Sequence, residues 1–115
     1  MRFPEEYIKR GEFKLHSGDV THIFYDANAL ITDAKYLGMI LSSVPDDCES
    51  YVGVATGGAI IASHFKSWAM IKDGELKGSV RGDYCLIDDV CTTEGSLREA
   101  IEIIGRSPKH IFVVG

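Results

Sequence analysis

One stretch decides the fold, the segment YCLIDDVCTTEGS at residues 84–96. It begins with a run of apolar residues that is typical of a buried strand, and two adjacent carboxylates, Asp88 and Asp89, follow directly. A turn rich in hydroxyl groups comes next, and Ser96 with Glu99 has the spacing of a helix capping box. A strand, a pair of acids, a polar turn and a helix in this order predict one unit of an α/β sheet with a binding site at the turn.

The rest of the chain shows the same alternation of short apolar strands with helices. The pattern predicts strands over 51–55, 68–71, 84–87 and 111–114, and helices over 33–44, 59–65 and 96–104. It also predicts a short helix over 4–10 that ends at Gly11, extended pieces over 12–15 and 23–26, and a hairpin or loop over 72–78. Alternating strands and helices imply parallel pairing, so we expect an α/β fold with a Rossmann-like parallel sheet flanked by helices.

Composition and length favour a single small domain. The chain has 115 residues, 45% of them apolar, and no linker or internal repeat divides it, so we expect one domain over 1–115. No apolar run approaches the roughly 18 residues that a membrane span needs, and the N-terminal residues lack the apolar stretch of a signal peptide. We therefore expect a cytoplasmic protein with no membrane partner. The net charge of −5 argues against nucleic acid as a partner, because a nonspecific site for phosphates needs a basic face.

The cysteines and histidines show no spacing typical of a metal site. Cys48, Cys85 and Cys91 are an odd number without zinc-ligand spacing, which fits a reducing compartment better than a disulfide framework. The histidines likewise lack ligand or triad spacing, and they stand at positions 16, 22, 64 and 110. From the sequence we therefore expect neither a zinc site nor a hydrolase triad.

The turns after the strands are where a ligand is expected, since parallel sheets bind ligands beyond the carboxyl ends of their strands. The carboxylates of Asp88 and Asp89 can accept hydrogen bonds from a vicinal diol, directly or through Mg²⁺. Hydroxyls and free amides at the start of the following helix can hold a phosphate, so a sugar phosphate satisfies both halves of the site. The alternative is that both acids simply end a strand and that Ser96 only caps the helix.

This combination resembles the signature of the type I phosphoribosyltransferases, in which an apolar strand, two acids and a turn rich in threonine and glycine follow one another. In that family the acids engage the ribose hydroxyls of phosphoribosyl pyrophosphate (PRPP) and the turn holds its 5′-phosphate. The resemblance implies the first role for Asp88 and Asp89, which would also hold Mg²⁺, in part indirectly through PRPP and water. It implies substrate contacts for the turn and the helix start, Val90, Cys91, Thr92, Thr93, Glu94, Gly95 and Ser96. Glu94 stands where most members have the first glycine of the turn.

Two further segments resemble the orotate branch of that family. Residues 11–18, GEFKLHSG, are similar to its Phe-x-Leu-x-Ser-Gly segment, and residues 53–62, GVATGGAIIA, are similar to its pyrophosphate loop. The resemblance implies pyrophosphate contacts for Thr56, Gly57 and Gly58, because glycines let backbone amides approach an anion. Taken alone, each segment also fits a plain turn. Together with 84–96 they follow the family's order and cover nearly the whole sequence.

The segment after the second predicted strand departs most from the family. The family's catalytic loop carries an Arg-Lys pair, then another Lys and a His, and closes over the neighbouring subunit's site. Here Lys72 matches the paired lysine, and only the short segment 73–79 follows it. A solvated lysine at a strand end is the alternative interpretation. The resemblance implies Lys72 and Asp89 as catalytic residues, with Lys72 also in contact with substrate. It further implies Mg²⁺ as the cofactor and a homodimer as the assembly.

The function implied by the resemblance is transfer of the phosphoribosyl group from PRPP to a nucleobase, orotate above all, with release of pyrophosphate in pyrimidine nucleotide synthesis. One alternative is a noncatalytic module that binds or senses PRPP or a nucleotide and has a degenerate catalytic loop. Another is an unrelated α/β module that uses Asp88 and Asp89 for Mg²⁺ alone.

Overall fold

The computed structural model describes residues 4–14, 18–89 and 95–114. A hairpin opens the chain, with strands β1 (Ile8–Lys14) and β2 (Val20–Tyr25), and two helices follow it, α1 (Ala27–Thr32) and α2 (Ala34–Ser43). The α/β part then comprises β3 (Ser50–Val54), α3 (Gly57–Ala62), β4 (Trp68–Lys72), β5 (Glu75–Lys77), β6 (Tyr84–Asp88), α4 (Gly95–Ile104) and β7 (His110–Val113). Among these helices, none is both long and apolar enough to cross a bilayer.

The larger sheet has its strands in the order β5-β4-β3-β6-β7. Strands β3, β4, β6 and β7 are parallel, and β5 pairs antiparallel with β4 at one edge. Although β3 is the first strand of this sheet along the chain, it lies in the centre of the sheet, with β4 on one side and β6 on the other. The chain thus changes direction across the sheet between β3 and β6, and open α/β sheets bind ligands at the carboxyl ends of such a strand pair. The α/β class and the mostly parallel sheet predicted from the sequence are confirmed.

Strand β6 is buried on both faces, and its alternating side chains join two layers of the core. Cys85 and Ile87 pack with residues of α1, α2 and α3, whereas Tyr84 and Leu86 pack on the side of α4. All residues of the strand are buried, as its continuous apolar run predicts for a strand covered on both sides. The acids at its carboxyl end are therefore held by one of the most firmly packed elements of the molecule.

The N-terminal helix predicted over 4–10 is wrong. Only a 3₁₀ turn over Glu5–Tyr7 forms, and the residues after it begin β1. Pairing within the hairpin decides this conformation, because Ile8 pairs with Tyr25, while an isolated helix of this length is marginal in water. Gly11 lies inside β1, at a shift in the register of the hairpin, and does not end a helix.

The helices further along the chain agree with the sequence patterns to within a few residues. The helix predicted over 33–44 is α2, and the side chain of Asp33 caps it by accepting a hydrogen bond from the backbone amide of Lys35. The helix predicted over 59–65 begins two residues earlier, at Gly57, and ends at Ala62. Helix α1 was not predicted, because its six residues are too few to show a helical period.

Candidate functional site

The candidate site lies where the turns after β3 and β6 meet. These two strands pair directly, with Gly53 opposite Ile87. The turn after β3 contains Ala55 and Thr56, joined by a cis peptide bond, and the turn after β6 begins with Asp89. Parallel pairing therefore brings the predicted pyrophosphate loop next to the predicted acid pair, at the point where the chain changes direction across the sheet.

Glycines let the turn after β3 pass very close to the end of β6. A Cβ atom on Gly58 would overlap the carbonyl group of Ile87, and one on Gly53 would overlap the backbone of Gly58. A Cβ atom on Gly57 would lie 2.5 Å from Oδ2 of Asp89. Backbone packing therefore requires glycine at 53 and 58, whereas Gly57 faces the acid pair itself.

Asp88 is buried at the end of β6, with only 5% of its surface exposed. Its Oδ1 accepts a hydrogen bond from the backbone N–H of Asp89 at 2.8 Å, and its Oδ2 accepts one from the hydroxyl of Ser96 at 3.1 Å. Burial, and after it the neighbouring carboxyl of Asp89, raises the pKa of Asp88 to about 6. Asp88 thus connects the end of β6 to the start of α4, and Asp89 is the more accessible acid of the pair.

A cavity of about 230 Å³ lies between the ends of β3 and β4 and the first turns of α4, and neither Asp88 nor Asp89 is among its lining residues. Thr56, Lys72 and Ser96 are among its lining residues. Each of the three belongs to a different segment of the sequence, and each was predicted to contact substrate. The structure brings them to one space, and the hydrogen bond from Ser96 links this space to Asp88.

Lys72 ends β4 and is exposed. The next two residues, Asp73 and Gly74, have φ angles of 52° and 75° and form a tight turn into β5, so that Lys72 pairs with Glu75. The segment predicted as a hairpin or loop is therefore a hairpin. This two-residue turn occupies the position that the family resemblance assigns to the catalytic loop.

Part of the predicted phosphate-binding turn lies outside the described residues. This part comprises Val90, Cys91, Thr92, Thr93 and Glu94, whose roles therefore remain predictions. The same holds for residues 15–17 of the segment 11–18. Gly95 and Ser96 open α4, one residue earlier than predicted.

Glu99 is a cavity residue to which the sequence assigned only a capping role. It lines the cavity together with Ser96 and Lys72, and its Oε1 lies 3.9 Å from the position that a Cβ atom on Gly74 would take. The signal that could have found it is its spacing, since residues three apart share one face of a helix. With Asp73, it places negative charge on the side of the cavity next to Lys72.

Orotate phosphoribosyltransferases are found both among the proteins similar in sequence and among the solved structures of similar fold. No family model matches the chain. The sequence is 28% identical to the orotate phosphoribosyltransferase of Methanosarcina mazei, over 93% of this chain and 70% of that protein. The fold matches the crystal structure of orotate phosphoribosyltransferase from Aeropyrum pernix with a TM-score of 0.78 and 24% identity, over 94% of this chain and 74% of that one.

A third match is the structure of Leishmania donovani UMP synthase, with a TM-score of 0.71 and 20% identity. It covers 94% of this chain but only 28% of that much longer one. The resemblance that the sequence motifs indicated is confirmed by these matches.

Proposed function

We propose that this chain, a type I phosphoribosyltransferase similar to the orotate enzymes, transfers the phosphoribosyl group of PRPP to a nucleobase, with orotate as the expected acceptor. One observation carries the proposal: the turn after β3 and the acid pair after β6 meet at the strand pair where the chain changes direction across the sheet. Similarity to an orotate phosphoribosyltransferase over 93% of the chain supports the same reaction. The products are pyrophosphate and a pyrimidine nucleoside monophosphate.

We assign the ribose of PRPP to the acid pair. The oxygens of Asp88 already accept hydrogen bonds from the amide of Asp89 and the hydroxyl of Ser96, so Asp88 chiefly joins the end of β6 to the start of α4. Asp89 is the less buried acid of the pair, and we assign it to the 2′ and 3′ hydroxyls, whose hydrogen bonds a charged acceptor strengthens. The turn 90–96 holds the 5′-phosphate next to the first amides of α4.

The same acids fit Mg²⁺, the expected cofactor. A hard cation prefers carboxylate oxygens, and Asp88 and Asp89 place two carboxyl groups side by side at the edge of the sheet. We assign the cation to these residues, in part through water and PRPP. When bound, Mg²⁺ neutralises charge on the phosphates of the substrate.

The reaction exchanges one bond at the anomeric carbon of PRPP. A ring nitrogen of the base forms a C–N bond and gives its proton to solvent, while the C–O bond to pyrophosphate breaks and pyrophosphate leaves with the electron pair of that bond. Negative charge therefore grows on the leaving group, and donors or cations beside it lower the barrier. Thr56, Gly57 and Lys72 are the residues that we assign to pyrophosphate, because they surround the carboxyl ends of β3 and β4 next to the cavity.

The tight turn after Lys72 favours a second candidate function, a module that binds PRPP without turnover. A long loop could exclude water and surround the leaving group, whereas the turn at Asp73 and Gly74 keeps Lys72 at the mouth of the cavity. Glu99 and Asp73 add negative charge there, which opposes a second anion. Catalysis and binding must therefore be measured separately.

The decisive experiment measures PRPP binding and catalytic turnover on the same protein. Calorimetry with PRPP, with and without Mg²⁺, gives the affinity, and a pyrophosphate-release assay with orotate, uracil and purine bases gives turnover. We expect Mg²⁺-dependent PRPP binding and release of pyrophosphate with orotate. Binding without release for every base would establish the noncatalytic module, and absence of PRPP binding would refute both candidates.

A paired substitution tests the assigned roles. Asp89→Asn should weaken PRPP binding by about tenfold or more, because a charge-assisted hydrogen bond becomes a neutral one. Asp46→Asn is the matched control, since Asp46 is an exposed acid that precedes β3 at the opposite edge of the sheet. Equal PRPP affinity of the two folded variants would contradict the assignment of Asp89.

A homodimer is part of the proposal. Trp68, the first residue of β4, is 42% exposed, which favours a contact with a second protomer. It lines a groove of about 250 Å³ together with Ile60 and Met70. Sedimentation equilibrium of the wild type should show a dimer, and Trp68→Arg should shift it towards the monomer. A wild-type monomer at all accessible concentrations would refute this part.

A further inference from the structure

A cluster of three chemically different metal ligands lies at the opposite edge of the sheet from the candidate site. Asp47 and Cys48 are separated from the start of β3 by one residue, Glu49, and His110 is the first residue of β7. One ligand atom from each of the three residues lies within 4.8 Å of the other two. Nε2 of His110 is already 2.9 Å from Oδ1 of Asp47.

The pairing of the strands brings these three residues together, so their spacing in the sequence does not indicate a metal site. Strands β3 and β7 both pair in parallel with β6, so their amino ends lie at the same edge of the sheet. Asp47 and His110 are 63 positions apart in the chain and therefore match no local zinc-ligand pattern.

We propose that Asp47, Cys48 and His110 form a binding site for a divalent transition metal of the Zn²⁺ class. A thiolate, an imidazole and a carboxylate together suit Zn²⁺ far better than Mg²⁺ or Ca²⁺, which take oxygen ligands. With bonds of about 2.0–2.3 Å in a tetrahedral site, ligand atoms stand roughly 3.3–3.8 Å apart. Separations of up to 4.8 Å therefore need to close by on the order of 1 Å, whereas Asp47 Oδ1 and His110 Nε2, 2.9 Å apart, need to move apart by roughly 0.4 Å. Water supplies the fourth ligand.

The charges around the cluster are compatible with a cation. Lys109 is the nearest positive group, and its Nζ lies 3.3 Å from Oδ2 of Asp47 and 3.5 Å from Oδ2 of Asp83. It therefore occupies the carboxylate oxygen of Asp47 that faces away from His110 and leaves Oδ1 as the ligand. In this position Lys109 does not bind the metal but orients its ligand Asp47, and Asp83 offsets the positive charge of Lys109.

Binding of the metal has a defined proton balance and a structural effect. The thiol of Cys48 gives its proton to solvent when the sulfur–metal bond forms, and neutral His110 binds through Nε2. The bound ion would connect the segment before β3 with the start of β7. It would thus stabilise the amino edge of the sheet without contact to the acid pair at the carboxyl edge.

Cobalt is the probe for this site, because tetrahedral Co²⁺ bound to a thiolate has an intense near-ultraviolet absorption from sulfur-to-metal charge transfer. We expect the reduced, metal-free protein to bind one Co²⁺ per chain with this absorption, to release it to Zn²⁺, and to be unaffected by excess Mg²⁺. Cys48→Ser should abolish the absorption. Asp47→Asn and His110→Gln should each weaken binding by about tenfold or more, as losses in a metal site's ligand network do.

A control variant and a second readout separate this site from other thiols and histidines. His64→Gln, matched to His110→Gln, removes an exposed histidine outside the cluster and should titrate like the wild type. Alkylation followed by peptide mapping gives a second readout, in which Zn²⁺ should protect Cys48. The proposal is refuted if the wild type shows no thiolate absorption, or if folded Cys48→Ser keeps it. Neither readout depends on PRPP or on turnover, so the outcome is independent of the proposed function.

Discussion

The hydroxyl of Ser96, at the start of α4, donates a hydrogen bond of 3.1 Å to Oδ2 of Asp88, at the end of β6. The other oxygen of Asp88 accepts from the backbone N–H of Asp89 at 2.8 Å. One buried carboxyl therefore holds both ends of the turn that is expected to bind phosphate. The arrangement fixes the end of β6 relative to the start of α4, at the cost of a poorly solvated negative charge.

This burial has a consequence for the pH dependence of stability, measured without PRPP or Mg²⁺. The pKa of Asp88 is raised from 3.8 to about 6, chiefly by burial, so the folded state binds its proton more tightly than the unfolded state does. Its contribution to stability is complete below about pH 4 and is lost as the pH rises through 6. The loss amounts to as much as about 3 kcal/mol, at 1.36 kcal/mol per pKa unit.

Asp88→Asn isolates this contribution. Urea unfolding of wild type and variant at pH 4.5 and pH 8 should show that the variant loses less stability on the alkaline side, because its amide carries no charge at either pH. Acids with lowered pKa values, such as Asp26 and Asp33, change stability in the opposite direction, but equally in both proteins. Identical pH profiles for the two proteins would contradict a buried, ionising Asp88.

The glycines of the turn after β3 should respond differently to the same substitution. Gly58→Ala should destabilise the fold by about 2 kcal/mol or more, because its Cβ meets the backbone of Ile87, which cannot move easily. Gly57→Ala meets the side chain of Asp89, which can turn away, so it should reduce PRPP affinity more than stability. Thermal unfolding and PRPP calorimetry on both variants distinguish the two effects.

Gly38 provides the matched control for these two variants. It lies in α2, and a Cβ atom there meets nothing within 4 Å. Gly38→Ala should therefore raise the stability by about 0.5–1 kcal/mol through helix propensity alone. If Gly58→Ala behaved like Gly38→Ala, the close approach of the turn to β6 would be wrong.

The parts of the fold that could be predicted are those whose conformation follows from local pattern. Strand β6 is a continuous apolar run, and α2 has a capping Asp33 and an apolar period, so both could be identified from sequence. The first strand could not, because residues 4–10 also fit a helix and only pairing with β2 decides between the two. Helix α1 could not be predicted either, because six residues are too few to show a helical period.

The candidate site also has parts that could be predicted from the sequence and parts that could not. The acid pair and the glycine-rich turn could be found as motifs, since each is contiguous in the chain. The need for glycine at 53 and 58 could not be predicted, because it comes from contacts between segments that are distant in the sequence. The same is true of the cluster at Asp47, Cys48 and His110, whose members meet only after β3 and β7 align on β6.

Ser50, the first residue of β3, should be important for the segment that connects β5 to β6. Its buried hydroxyl donates to the carbonyl of Arg81 at 2.7 Å and accepts from the amide of the same residue at 2.9 Å. Ser50→Ala leaves both backbone groups without this partner and should cost about 1–3 kcal/mol in unfolding free energy. Ser43→Ala is the control, since that exposed hydroxyl bonds only within its own helix, and a similar loss in both variants would contradict the role of Ser50.

Lys72 tests how far the short hairpin supports catalysis. Lys72→Met keeps the aliphatic stem but removes the charge beside the expected pyrophosphate site, so the rate of pyrophosphate release should fall by about 10²-fold to 10³-fold. PRPP affinity should fall less, because most of the charge on the leaving group develops during the reaction. Lys66→Met removes an exposed lysine outside the cavity and should leave both quantities unchanged. A loss of PRPP affinity with an unchanged rate at saturating PRPP would instead assign Lys72 to uniform binding of PRPP, since only an interaction that strengthens in the transition state changes that rate.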